Sequence, residues 1–61
     1  MKEKRWLSPK NLEQEFEITI STQAKLRMGK KIPFSKIGKF IRYDRILINK
    51  WLEDHNVTEL L

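Results

Sequence analysis

Apolar side chains fall at helical spacing near both ends of the chain and at alternate positions between them. Leu12 and Phe16 lie four apart, on one face of a helix. Ser8-Pro9 supplies its start, because serine caps a helix well and proline is tolerated at the first position, where its missing N–H would bond nothing. The spacing predicts a first helix over 8–16. Asn11 stands where a reciprocal capping box has Glu or Gln, so a simple cap is expected. At the other end Asp44 is a cap, and Ile48, Trp51, Leu52 and His55 follow at i, i+3, i+4 and i+7, predicting a last helix. Trp51 then sits on the stripe that covers the core, and His55 reads as a helix-end histidine.

The middle is less regular. Phe16, Ile18, Ile20 and Thr22 alternate with polar residues, and Ile and Thr favour strands. The same stretch also reads as a helix capped by Thr19 or Ser21, running through TQAKLRM to Gly29 or the Lys30-Lys31 pair. Propensity does not separate the two. Pro33 ends any helix. PFSKIGKFIRY then reads as a hairpin. A Gly38-Lys39-Phe40 loop gathers Ser35, Ile37, Ile41 and Tyr43 on one face and Lys36 and Arg42 on the other. A two-residue Gly38-Lys39 loop mixes charge into the core face, so the alternation favours three residues. Gly38 is not in the usual place for such a loop, and the turn type stays open.

Composition narrows the possibilities. In 61 residues, 39% hydrophobic, there is material for one small core and no second. Without cysteine there is no disulfide, thiolate nucleophile or zinc–cysteine site, and a single histidine makes a structural metal improbable. The longest apolar run, Ile46-Leu47-Ile48, is far too short for a membrane span, and no apolar stretch follows the basic start as in a signal peptide. The net charge is +5, and its distribution is uneven. Residues 1–20 balance, and residues 44–61 are slightly acidic. Residues 21–43 carry Lys25, Arg27, Lys30, Lys31, Lys36, Lys39 and Arg42 and no acid. A solvated surface interleaves both signs, so a one-sign block points to an anionic partner, phosphate above all.

The order of helix, short turn, second segment, basic hairpin and final helix resembles a winged helix-turn-helix. WLSPKNLEQEF, STQAKLR, IPFSKIGKFIRY and Lys50-Trp51-Leu52 together resemble the excisionase-like and prophage-regulator branch of the mercury-resistance-regulator type of DNA-binding domain, over residues 6 to 52. The resemblance implies an α+β fold, mainly α: helix, turn, recognition helix, two-stranded wing and C-terminal helix. It makes the ambiguous stretch a turn and a helix rather than a strand. The domain is expected over 6–55, with flexible tails at 1–5 and 56–61. Four positions depart from the family. Glu17 replaces a turn glycine, Glu13 a small residue, Gln23 an apolar one and Phe40 an arginine at the wing tip.

With a recognition helix over about 20–28, Leu26 and the Thr22–Gln23 edge face the core, while Ser21, Ala24, Lys25 and Met28 face outward. Lys25 suits guanine O6/N7, Ser21 several base edges, and Ala24 a thymine methyl. Ser21 reads equally as a helix cap, and Met28 reads first as packing against the first helix. Thr22, Arg27, Lys30, Lys31, Lys36, Lys39 and Arg42 are the expected backbone and wing contacts, the wing entering a minor groove. Arg27 either clamps a phosphate or braces the second helix through Asp44 or Glu53. Phe40 is either a wedge or, the favoured reading, folded back on the core. Trp6 and Trp51 read as core aromatics rather than stacking platforms.

No catalytic constellation is present: adjacent Glu53 and Asp54 diverge on a helix, and neither a nucleophile elbow nor a phosphate-cradling glycine loop occurs. Neither cofactor nor metal is expected. The leading function is sequence-specific binding of double-stranded DNA by a cytoplasmic phage or mobile-element protein, as an excisionase (recombination directionality factor) or a transcriptional regulator, alongside an integrase or further copies of itself and without a membrane. The runner-up is a protein-binding inhibitor or adaptor that uses the same basic face. RNA binding is a weaker third, since no exposed aromatic series offers stacking.

Overall fold

The computed structural model describes residues 4–55, so residues 1–3 and 56–61 of the expected tails lie outside it. The elements run β1 (Trp6–Leu7), α1 (Pro9–Phe16), α2 (Ile20–Met28), β2 (Ser35–Ile37), β3 (Phe40–Asp44) and α3 (Arg45–Asp54). Three helices and an antiparallel sheet of order β1-β3-β2 make a small α+β fold of winged-helix type. The third strand is new relative to the sequence. Trp6 pairs with Asp44 and Leu7 with Tyr43, and a two-residue strand is too short to leave a period.

Local chemistry accounts for each helix. Ser8 caps α1: its Oγ accepts from the Asn11 N–H at 3.1 Å, while Asn11 Oδ1 accepts from the Ser8 N–H at 3.3 Å. The cap is therefore reciprocal rather than simple, because the shorter amide of Asn11 still reaches back. α1 ends at Glu17, at φ 58° in the left-handed region, whose N–H donates to the Glu13 carbonyl. Glu17 thus holds a left-handed backbone that glycine adopts freely, at a cost of about 1 kcal/mol. Thr19 caps α2 through the Thr22 N–H, which leaves Ser21 inside the helix rather than at its cap.

The far end of α2 closes in a Schellman turn. The Lys30 N–H donates to the Arg27 carbonyl at 3.0 Å and the Lys31 N–H to the Leu26 carbonyl at 2.8 Å. The left-handed residue of this turn is Lys30, at φ 54°, one position after Gly29.

Leu7, Leu12, Ile32, Tyr43 and Ile48 form the buried core, with Phe16, Leu26, Ile41 and Trp51 packed around it. Gln23 is fully buried. Its amide N–H groups donate to the carbonyls of Pro9 at 2.9 Å and Ile18 at 2.8 Å, bolting α2 to the start of α1 and to the turn. Thr22, expected at the core edge with it, is exposed. Trp51 is half-buried, and its indole N–H donates to the Lys31 carbonyl at 2.7 Å, tying α3 to the exit of α2. Trp6, expected in the core, is 48% exposed, and its ring lies against the Arg5 guanidinium on the outer side of the sheet.

Lys4 and Arg5, expected in a flexible tail, are attached to the body. The Arg5 carbonyl accepts from the Arg45 N–H at 2.7 Å, and the Lys4 carbonyl accepts from the Arg45 guanidinium. Arg5 pairs with both oxygens of Asp44, at 3.3 and 3.1 Å. Asp44 in turn caps α3 through the Ile46 N–H at 3.0 Å. The Arg5 hydrogen bonds, followed by those of the cap, hold the Asp44 carboxyl below the usual carboxylate range, and the same hydrogen bonds raise Arg5.

The hairpin register differs from the expected one. Ile37 pairs with Phe40, Lys36 with Ile41 and Ser35 with Arg42, so the loop is the two residues Gly38-Lys39. Gly38, at φ 60°, takes the first loop position, where a type II′ turn places its glycine. The expectation of three residues rested on keeping charge off the core face. That constraint does not reach the tip, where β2 is exposed along its whole length.

Candidate nucleic-acid interface

The new register reassigns the wing's side chains. Alternate residues of a strand point to opposite faces. Lys36 and Ile41 therefore share the face toward α2, while Ser35, Ile37, Phe40 and Arg42 share the outer face. Lys36 and Arg42, expected together, lie on opposite faces. Arg42 donates to the Ile41 carbonyl at 2.7 Å and lies beside the ring of Phe40. Phe40 is 64% exposed, not folded back on the core.

Between α2 and the wing runs a groove of about 450 Å³ lined by Ala24, Arg27, Met28, Phe34, Lys36, Lys39 and Ile41. Its floor is apolar and its cations come from both walls. Met28, expected to pack on α1, is 86% exposed and belongs to this groove instead. Nine residues with little amphipathic contrast did not reveal which way α2 is turned at that end. Arg27 braces α2 as one of its two readings required, but its partner is the Tyr43 hydroxyl on β3, not Asp44 or Glu53. A guanidinium has five donors, so one bond to Tyr43 orients it and leaves others for an anion.

Ser21 and Lys25 are exposed on α2 and Ala24 is half-buried beside them, the outward row expected of a base-contacting helix. Lys30 and Lys31 are exposed just past its end. Among the described residues Asp44 is paired with Arg5 and Glu15 with Arg45 at 2.9 Å, while the Glu13 carboxylate accepts from the Ile20 N–H at the start of α2, at 3.4 Å. Lys25, Lys30, Lys31, Lys36 and Lys39 make no ion pair among the described residues.

The structure thus brings Ala24, Arg27, Lys36 and Lys39 to one groove, keeps Ser21, Thr22, Lys25, Lys30 and Lys31 on exposed surface, and sends Arg42 to the other side of the wing. Sequence reasoning missed Met28 and Phe34 as groove residues. Glycine followed by lysine between Ile37 and Phe40 was the signal for the tight turn that fixes the register. No group of three or more His, Asp or Glu side chains among the described residues is placed to hold a metal, and no described helix is long and apolar enough to cross a membrane. In comparisons with known proteins, no family model, curated protein or solved structure matches this chain.

Proposed function

We propose that the chain binds double-stranded DNA, with α2 in the major groove and the β2–β3 wing at the neighbouring minor groove. The observation that carries this reading is the acid-free block of seven cations, of which Arg27, Lys36 and Lys39 line the two walls of one groove, Lys25, Lys30 and Lys31 are exposed on α2 and just past its end, and Arg42 lies on the outer face of the wing. Lys25 and Ser21 supply hydrogen bonds for base edges and Ala24 offers a methyl contact. Arg27, Lys30, Lys31, Lys36, Lys39 and Arg42 supply phosphate contacts, with Thr22 a further donor to the backbone. The reading is of a binding protein rather than an enzyme, needing no cofactor. The role it fits is that of a cytoplasmic phage or mobile-element protein, an excisionase or small transcriptional regulator acting beside an integrase or further copies of itself.

The test is a gel shift against duplex DNA flanking the chain's own gene, with and without competitor, over a range of salt. If four to six cations reach phosphates, log affinity falls against log salt with a slope of about −3.5 to −5.5. A second reading, an inhibitor or adaptor docked on an acidic protein, has the apolar groove floor of Ala24, Met28, Phe34 and Ile41 on its side. Absence of DNA binding at low salt, or a flat salt response, turns the assignment to that partner.

A further inference from the structure

One part of the wing serves neither the core nor the groove. Ile37 and Phe40 flank the Gly38-Lys39 turn as direct cross-strand partners on the outer face, and they are 74% and 64% exposed. Hairpin ends ordinarily carry polar residues, so two large apolar side chains here call for a partner. Cations bracket them. Lys39 lies in the turn, and Arg42 lies two residues along the same face with its guanidinium 5.7 Å from the Phe40 ring centroid. No acid lies anywhere in residues 21–43.

That combination selects among partners. A stable protein interface needs about 800 Å² from each side and a rim that pairs both charge signs. Ile37 and Phe40 stand at the end of a two-stranded ribbon with Lys39 and Arg42 beside them and Trp6 set further back on the same face, and a tip of this shape and charge fits a narrow polyanionic slot better. The minor groove is about 6 Å wide, walled by phosphates and floored by bases, and apolar side chains that enter it part base steps.

We propose that Ile37 and Phe40 form an apolar wedge that enters the minor groove, partly unstacks one base step and bends the duplex, while Lys39 and Arg42 hold the flanking phosphates. The inference rests on the DNA reading above and specifies what the wing tip does there. Flexible pyrimidine–purine steps are the expected point of entry, because they unstack at the lowest cost.

The experiment uses the full chain and a duplex it selects from a random-sequence pool, with 2-aminopurine placed at successive positions on the wing side of the site. Binding should brighten one position, as its base loses stacking, while its neighbours stay dark. Phe40→Ser should abolish the brightening and weaken binding about tenfold, leaving the salt slope unchanged because no charge is lost. Lys39→Ala should keep the brightening and reduce the slope by about one unit. Ile37→Ser is the second variant, and matched thermal melts confirm that both variants fold. Tight binding with every position dark, and equal affinity for Phe40→Ser, would overturn the wedge while leaving the DNA reading intact. A free chain that self-associates through these residues, losing the association in Phe40→Ser, would make the patch a protein contact and overturn it as well. Retention of no duplex at low salt would remove the DNA reading and the wedge together.

Discussion

The two ends of β3 live in different environments although the strand is only five residues long. Tyr43 and Asp44 are buried, one in the core and bonded to Arg27, the other capping α3 and paired with Arg5. Phe40 at the opposite end is largely exposed, with Arg42 beside its ring and Ile37 across the hairpin. Both ends carry an aromatic residue, and hydrophobicity alone does not tell them apart. Position relative to α1 and α3 does. One end is stitched into the body and sets stability; the other is carried clear of the body, where its side chains are available to a partner.

The strongest way to break this contrast is to truncate both aromatics. Tyr43→Ala should cost about 3–5 kcal/mol, close to the whole stability of about 5 kcal/mol available to a domain of this size. Phe40→Ala should stay within about 0.5 kcal/mol. Urea melts of the two variants decide it, and similar losses would mean that the wing is part of the core after all.

Next in size are the contacts to DNA. Lys25→Ala should cost about 1–3 kcal/mol on a cognate site and much less on random DNA. Lys39→Ala should weaken both about equally and lower the salt slope by about one unit. Titration of each variant on both DNAs at matched salt is the check, and the reverse pattern would make the wing the part that reads sequence.

Smaller effects test the two left-handed residues. Glu17→Gly should stabilise the fold by up to about 1 kcal/mol, since glycine adopts φ near +60° without a Cβ penalty. Lys30→Gly should do the same in a melt yet weaken DNA binding by removing a cation. Only the second substitution should separate stability from affinity.

The smallest effect belongs to the largely exposed Arg5 paired with Asp44. Because the Asp44 pKa is lowered in the folded state, its contribution is complete above the ordinary aspartate value of about 4 and is lost as pH falls through the lowered one. Asp44→Asn should flatten that acid-side decline in melting temperature while also weakening the cap. An unaltered decline would place the acid sensitivity elsewhere.

Much of the body was legible in the sequence. Ser8-Pro9 and Asp44 announce their helices because caps are local chemistry, and Gly29-Lys30-Lys31 marks the end of α2. The choice between strand and helix for the stretch after Phe16 was not settled by propensity; it needed the resemblance, and the structure places a turn at 17–19 and a helix over Ile20–Met28. The wing register was misjudged because alternation carries information only where one face is buried, and this hairpin end has no buried face. Trp6 and Met28 were misplaced for a related reason: large apolar residues were assigned to a core that five side chains already fill. In the candidate site, the cations were found from charge alone, whereas Arg27's bond to Tyr43 joins residues sixteen apart and has no local signal.

The tryptophans give the molecule two built-in optical probes. Trp51 is half-buried against the core with its indole N–H on the Lys31 carbonyl, whereas Trp6 is more open, beside Ser35, Ile37 and Arg42 on the outer face of the sheet. A soluble quencher should therefore dim Trp6 first, and emission from Trp51 should shift to the red only when the body itself comes apart. With Trp6→Phe the remaining emission times unfolding of the core. With Trp51→Phe it registers what happens on the sheet's outer face, so the two halves of the molecule can be followed separately in the same cuvette.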